Sequence, residues 1–146
     1  MPKFEREVEI DAPVEKVWQV LINPTHWPQW FPGIDSVSNV TSVRQGESFE
    51  WTDEGQTGRG TVVKMEPMKY LEILTQMGDD EDSHVFELRQ SGGFFGMSDD
   101  ECKVEYKLDT LMGSGIIGRF VAGGNPKDML RVKNATNKLR RLVESM

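Results

Sequence analysis

The sequence predicts an α+β domain in which one antiparallel sheet is covered by a long C-terminal helix. Three observations carry this. Residues 126–146 place Met129, Val132, Thr136, Leu139, Val143 and Met146 three or four positions apart, the spacing of one helical stripe. The middle of the chain alternates apolar and polar residues in short runs separated by Gly, Pro, Asp or Ser, which is the pattern of half-buried strands. A helix-forming stretch lies between the first such run and the rest.

Taken in order, Lys3–Ile10 alternates Phe4, Val8 and Ile10 against Glu5, Glu7 and Glu9, a strand with one wet face. Arg6 falls on the apolar side, where it is either a charged group inside a pocket or, the plainer reading, a residue near a strand end that reaches water along its stem. Asp11-Ala12-Pro13 then opens a helix with Pro13 at its first position and Val14, Val17, Trp18 and Leu21 on its buried stripe. Asn23-Pro24 ends it. A second short helical turn crowds Trp27, Trp30 and Phe31 together before Pro32-Gly33 breaks the chain; these rings either pack in a core or line a cavity.

Six further strands are predicted near 34–43, 47–52, 58–66, 69–77, 84–90 and 101–110, joined by short connections and therefore a meander of antiparallel neighbours. In the last two, His84, Phe86 and Leu88 oppose Val85, Glu87 and Arg89, while Cys102, Val104, Tyr106 and Leu108 oppose Lys103, Glu105, Lys107 and Asp109. The apolar face is the one the final helix must cover. Residues 111–124 mix five glycines with apolar residues, a connector suited to a lid or binding loop. Pro126 sits at the first position of the last helix, where a missing N–H costs nothing.

Length and composition suit a single domain over residues 1–146. Net charge is −7, yet the final helix carries six Lys or Arg against two carboxylates, which leaves the rest of the chain at −11. That acidic bulk argues against nucleic acid as a partner. The basic helix face could meet a membrane surface or a protein, although a solvated face is the commoner meaning. One cysteine, Cys102, forms no internal disulfide, and the charged start MPKFEREVEI contains no export signal, so a cytoplasmic setting is expected. No transmembrane run is present in the sequence. Two histidines and one cysteine in no zinc spacing predict no metal, and no phosphate-loop or nucleophile-elbow motif is present, so no cofactor is expected.

The stretch IDAPVEKVWQVLINPTHWPQWFPGI at 10–34 resembles the START-like (SRPBCC) helix-grip superfamily of polyketide cyclase/dehydrase-like and birch-pollen-allergen-like proteins, with its Ala-Pro-x-x-x-Val-Trp helix, Asn-Pro, Trp turn and Pro-Gly. The order of elements extends that resemblance over nearly the whole chain. It implies a seven-stranded sheet curled around the C-terminal helix, leaving a cavity that binds a small hydrophobic or aromatic molecule such as a lipid, quinone or polyketide. The expected wall is Trp27, Trp30, Phe31, Phe49, Trp51, Ile73, Phe86, Tyr106, Phe120 and Met129. It also implies that the turn at 27–33 and the loops at 52–57, 78–83 and 111–124 meet at the cavity mouth. Asp79, Asp80, Glu81 and Asp82 would there join Asp53 and Glu54, with the turn at 91–98 at the far end. Fold does not fix function. The alternatives are an aromatase/cyclase-type enzyme and a protein or membrane-surface interaction module. For the enzyme, His84 is the candidate base, Tyr106 the proton donor, and Arg59 an enolate stabiliser if its strand turns it inward. A histidine at the start of a strand touching carboxylates, and a core tyrosine, are the plainer readings of the first two.

Overall fold

The computed structural model describes residues 3–31, 33–38, 43–78, 80–91, 101–112 and 126–146. Seven strands form one sheet: β1 (Lys3–Ile10), β2 (Ser36–Ser38), β3 (Ser48–Asp53), β4 (Gln56–Glu66), β5 (Tyr70–Met77), β6 (Asp80–Ser91) and β7 (Glu101–Met112). Their order is β1-β7-β6-β5-β4-β3-β2, and every neighbouring pair is antiparallel. The predicted meander is therefore correct from β2 to β7, and β1 closes onto β7. Helices α1 (Val14–Leu21), α2 (Trp27–Trp30) and α3 (Pro126–Glu144) complete the chain, with a 3-10 turn at Pro24–His26. No helix among the described residues is long and apolar enough to cross a membrane.

Alternation decides which way each strand faces. Phe4, Val8 and Ile10 of β1, Leu71, Ile73 and Thr75 of β5, His84, Phe86 and Leu88 of β6, and Val104, Tyr106, Leu108 and Thr110 of β7 are all buried on one face. Val132, Ala135, Thr136, Leu139 and Val143 of α3 are buried with them. The Thr136 hydroxyl donates to the carbonyls of Val132 and Lys133, so it needs no partner in the sheet. Burial of this stripe is what fixes the helix to the domain, since helix propensity alone contributes little. Two expected stripe residues lie outside the covered region: Met129 is 60% exposed and Met146 56% exposed.

Several features differ from the sequence reading. Pro13 precedes the first residue of α1 rather than occupying it; its backbone is extended and its carbonyl accepts from Lys16 and Val17. β2 is a three-residue strand at the sheet edge. Arg6 pairs with Tyr106 in the middle of β1, not near its end, and its guanidinium reaches the Lys133 carbonyl on α3 at 3.4 Å. β6 starts at Asp80, four residues before the predicted start, because β5 and β7 pair with it through its whole polar opening.

β4 shows how packing overrides sequence pattern. Gly58, Gly60 and Val62 face inward, which turns Arg59 out to solvent. Phe49 and Trp51 on β3 stand directly opposite Gly60 and Gly58. A Cβ on Gly58 would lie 2.5 Å from the Trp51 ring, and one on Gly60 would overlap the Phe49 ring. The two glycines are thus spaces that the two rings occupy. A register shift between Val62 and Lys64 then turns Lys64 outward and brings Met65 to the core side.

Candidate functional site

The short helices bring the first layer of aromatic rings to the sheet. Trp27 is fully buried, and its indole N–H donates to the Leu21 carbonyl at 2.9 Å, which closes the end of α1. Its ring lies 5.0 Å from Phe49 and 5.4 Å from Phe31. The series continues through Trp30, Phe86 and Tyr106, with Phe86 stacked on Tyr106 at 4.6 Å. Trp30, Phe86 and Tyr106 meet Ala135, Thr136 and Leu139 of α3 across a crevice too narrow to admit a water molecule. Eight of the ten residues expected as cavity wall, Trp27, Trp30, Phe31, Phe49, Trp51, Ile73, Phe86 and Tyr106, are buried in the core. Trp51 also lines an open recess. Met129 is on the surface, and Phe120 lies outside the described residues, as does nearly all of the expected 111–124 lid and the 91–98 turn.

Beneath the rings runs one polar chain. His84 is completely buried; its Nδ1 lies 2.6 Å from the Tyr106 hydroxyl and its Nε2 lies 3.0 Å from Thr75 Oγ1. Because β6 extends back to Asp80, His84 is an interior strand residue and not a strand-end histidine, and its ring partners are hydroxyls rather than carboxylates. Burial first, and the nearby positive charge of Arg131 second, hold its pKa well below the ordinary histidine value. The imidazole is neutral at pH 7 and has one N–H and one lone pair. Either Tyr106 donates to Nδ1 and Nε2–H donates to Thr75, or Nδ1–H donates to Tyr106 and the Thr75 hydroxyl donates to Nε2. The two arrangements differ in the imidazole tautomer and in the orientation of the two hydroxyls, and neither places a charge in the core.

The polar chain meets the surface at Thr75. With Gly33, Trp51, Asp53, Met77, Asp80, Asp82 and Arg131, it lines a recess of about 210 Å³ between the sheet and α3. Arg131 crosses this opening, its guanidinium donating to Asp82 at 3.1 Å. Gly33, at φ +76°, lets the chain turn beside it; a Cβ there would only touch Arg131 and Asp53, so it is the backbone conformation that favours glycine. Asp53 closes the β3–β4 hairpin, whose Glu54-Gly55 tip has positive φ at both residues. Burial first, then the charges of Asp35 and Glu54, raise the Asp53 pKa, against the lowering effect of Arg131. The expected gathering of Asp53, Asp80 and Asp82 at one end of the sheet is thus present, inside the strands rather than on a loop tip; Asp79 lies outside the described residues.

Of the three catalytic candidates, His84 and Tyr106 are joined and Arg59 is on the opposite face of the sheet, on the wall of an outer groove with Glu50 and Gln76. Sequence reading missed Arg131 as a site residue, since on a helical wheel it falls among the solvated cations. Thr75 is among the few polar residues whose phase points inward in the sequence, although no particular role follows from that phase. Cys102, expected mid-strand, is the second residue of β7; it is buried opposite Ile10, its thiol pushed up to about 11 by burial, and it acts as a core filler. No cluster of metal-ligating side chains occurs among the described residues.

Similar folds are widespread among solved structures. Protein MLL2253 from Mesorhizobium loti matches with a TM-score of 0.73 at 16% identity, covering 99% of this chain and 98% of that one. Protein CV1439 from Chromobacterium violaceum matches with a TM-score of 0.68 at 15% identity, over 97% and 96%. CalU16 from Micromonospora echinospora gives 0.65 at 17%, over 97% and 75%. No curated protein matches the chain. The family model described as polyketide cyclase / dehydrase and lipid transport matches residues 1–144, and the chain belongs to that family.

Proposed function

We propose that the domain binds a small apolar or aromatic molecule, lipid-, quinone- or polyketide-like, at the mouth between the sheet and α3. The observation that carries this is the double role of Thr75, which lines the recess and also bonds the buried His84. A ring-sized group in the recess would bury against Trp51 and Met77, while a carbonyl or hydroxyl on it would meet Thr75 and Arg131. A larger ligand requires the aromatic layer behind Thr75 to part. Native mass spectrometry of the protein from its own source, followed by denaturing extraction, tests the reading: a bound apolar molecule near equal stoichiometry supports it. Titration with 2-naphthol supplies the second test. Thr75→Val should weaken binding about fivefold, the worth of one hydrogen bond; unchanged affinity removes Thr75 from the site.

The enzyme alternative is favoured by one observation, the neutral His84 held 2.6 Å from Tyr106. In an aromatase/cyclase-type reaction on a poly-β-ketone, Thr75 and His84 would carry a proton to or from the carbonyl chain, with Tyr106 fixing the imidazole tautomer. His84→Gln and Tyr106→Phe should then abolish turnover and spare ligand binding. If both variants act only on binding, the site is a carrier's.

A further inference from the structure

We propose that the outward face of α3 docks on an anionic lipid surface. From Met129 to Val143 the helix contains no Asp or Glu, although the chain as a whole carries −7. Arg131 is engaged with Asp82 at the recess. The other four bases are Lys133, Lys138 and Arg141, all exposed, and the half-buried Arg140. Among the described residues none of these four meets a carboxylate. Arg6 adds a further cation beside them through its bond to the Lys133 carbonyl. The positive charge is therefore segregated onto one ridge of an acidic protein, where it is not neutralised internally.

The apolar residues on the same ridge select the partner. Leu130 is 55% exposed and lies on the outer face, and Met129 beside it is also exposed. At the other end of the ridge is Met146, likewise exposed. Flexible apolar side chains flanking a row of Lys and Arg can enter the headgroup boundary while the cations meet lipid phosphates. Nucleic acid fits less well, because the face carries no ring on which a base could stack. A protein partner fits less well too, because a straight ridge about 28 Å long suits a flat surface better than a pocketed one. This proposal does not depend on the ligand reading. If both hold, the helix that docks is the one whose Arg131 lines the recess.

The test is cosedimentation with vesicles of phosphatidylcholine alone and with added phosphatidylglycerol, using the full chain. Each basic residue near an anionic leaflet is worth about fivefold in partitioning. Binding is expected only to the anionic vesicles and should fall as salt rises. The triple variant Lys133→Gln, Lys138→Gln, Arg141→Gln should lose about a hundredfold with an unchanged circular dichroism spectrum. Leu130→Ser should weaken binding and steepen its salt dependence. Equal binding to both vesicle types, no binding at low salt, or full binding by the triple variant overturns the proposal. So does capture of an acidic peptide such as poly-glutamate when the vesicles are left unbound.

Discussion

The two ends of the inner sheet face are made of the same strands and do opposite things. At the closed end, Trp27, Trp30, Phe31, Phe49, Phe86 and Tyr106 are buried together, and the crevice where Trp30, Phe86 and Tyr106 meet α3 admits no water. At the mouth, the same strands β3, β5 and β6 turn Asp53, Thr75, Asp80 and Asp82 inward beneath Arg131, around a recess. The charges at the mouth are partly solvated or paired, Asp82 with Arg131, so that end buries less apolar surface than the closed end. Apolar packing dominates one half, and the polar groups of the proposed binding site lie in the other. The Thr75–His84–Tyr106 chain is the physical link between them.

This contrast can be broken from its stronger side first. Trp27→Ala removes a fully buried ring together with the N–H that caps α1, and should cost about 3–5 kcal/mol, read as a fall in the urea midpoint or outright loss of the folded state. A loss below 1 kcal/mol would mean that the closed end is not the stabilising half. Gly60→Ala comes next. Its Cβ would overlap Phe49, which is locked among other rings, so about 1–3 kcal/mol should be lost, and Phe49→Leu in the same chain should recover part of it.

His84 sharpens the comparison through pH. Its folded pKa lies below the ordinary value, so below about pH 6.5 the unfolded state takes up a proton that the native state does not. Its stabilising contribution is full above that pH and declines as pH falls, by about 1.4 kcal/mol per unit until the folded pKa is reached. Subtracting the stability profile of His84→Gln from the parent's should isolate this slope; parallel profiles would place the imidazole in contact with solvent. Asp53→Asn has the smallest expected effect. The raised Asp53 pKa means that its ionised form is disfavoured in the folded state, a penalty present above its ordinary pKa, so the variant should melt slightly higher at neutral pH. A lower melting temperature would show that Arg131 outweighs the neighbouring carboxylates.

Much of the closed half was legible in the sequence. Strict alternation in 101–110 and the three-four spacing of the last helix specify which side chains go inward, because a slip by one residue would expose them all. What stayed hidden has specific causes. The phase of 58–66 depends on Gly58 and Gly60, whose inward positions are occupied by rings from β3, so no side chain in that segment announces the buried face. The start of β6 was obscured because Asp80 to Ser83 read as a solvated turn, and only pairing to strands on both sides makes them sheet. That error also made His84 look like a strand-end residue. Arg131 carries no sequence signal separating it from Lys133 or Lys138; its difference lies in the position of Asp82 on a strand 49 residues earlier.

The functional division between the two halves is tested most directly by chemical-shift mapping of the labelled protein during titration with 2-naphthol. A competing location exists: a wider groove of about 760 Å³, lined by Glu7, Met68, Tyr70, Arg89 and Lys103 among others. Its size is less informative than its character, since it is open and rimmed by charges of both signs. The account predicts that shifts concentrate on Trp51, Thr75, Met77, Asp82 and Arg131, with His84 responding through its bond to Thr75. Shifts confined to Met68, Tyr70 and Arg89, or none at saturating probe, would contradict it.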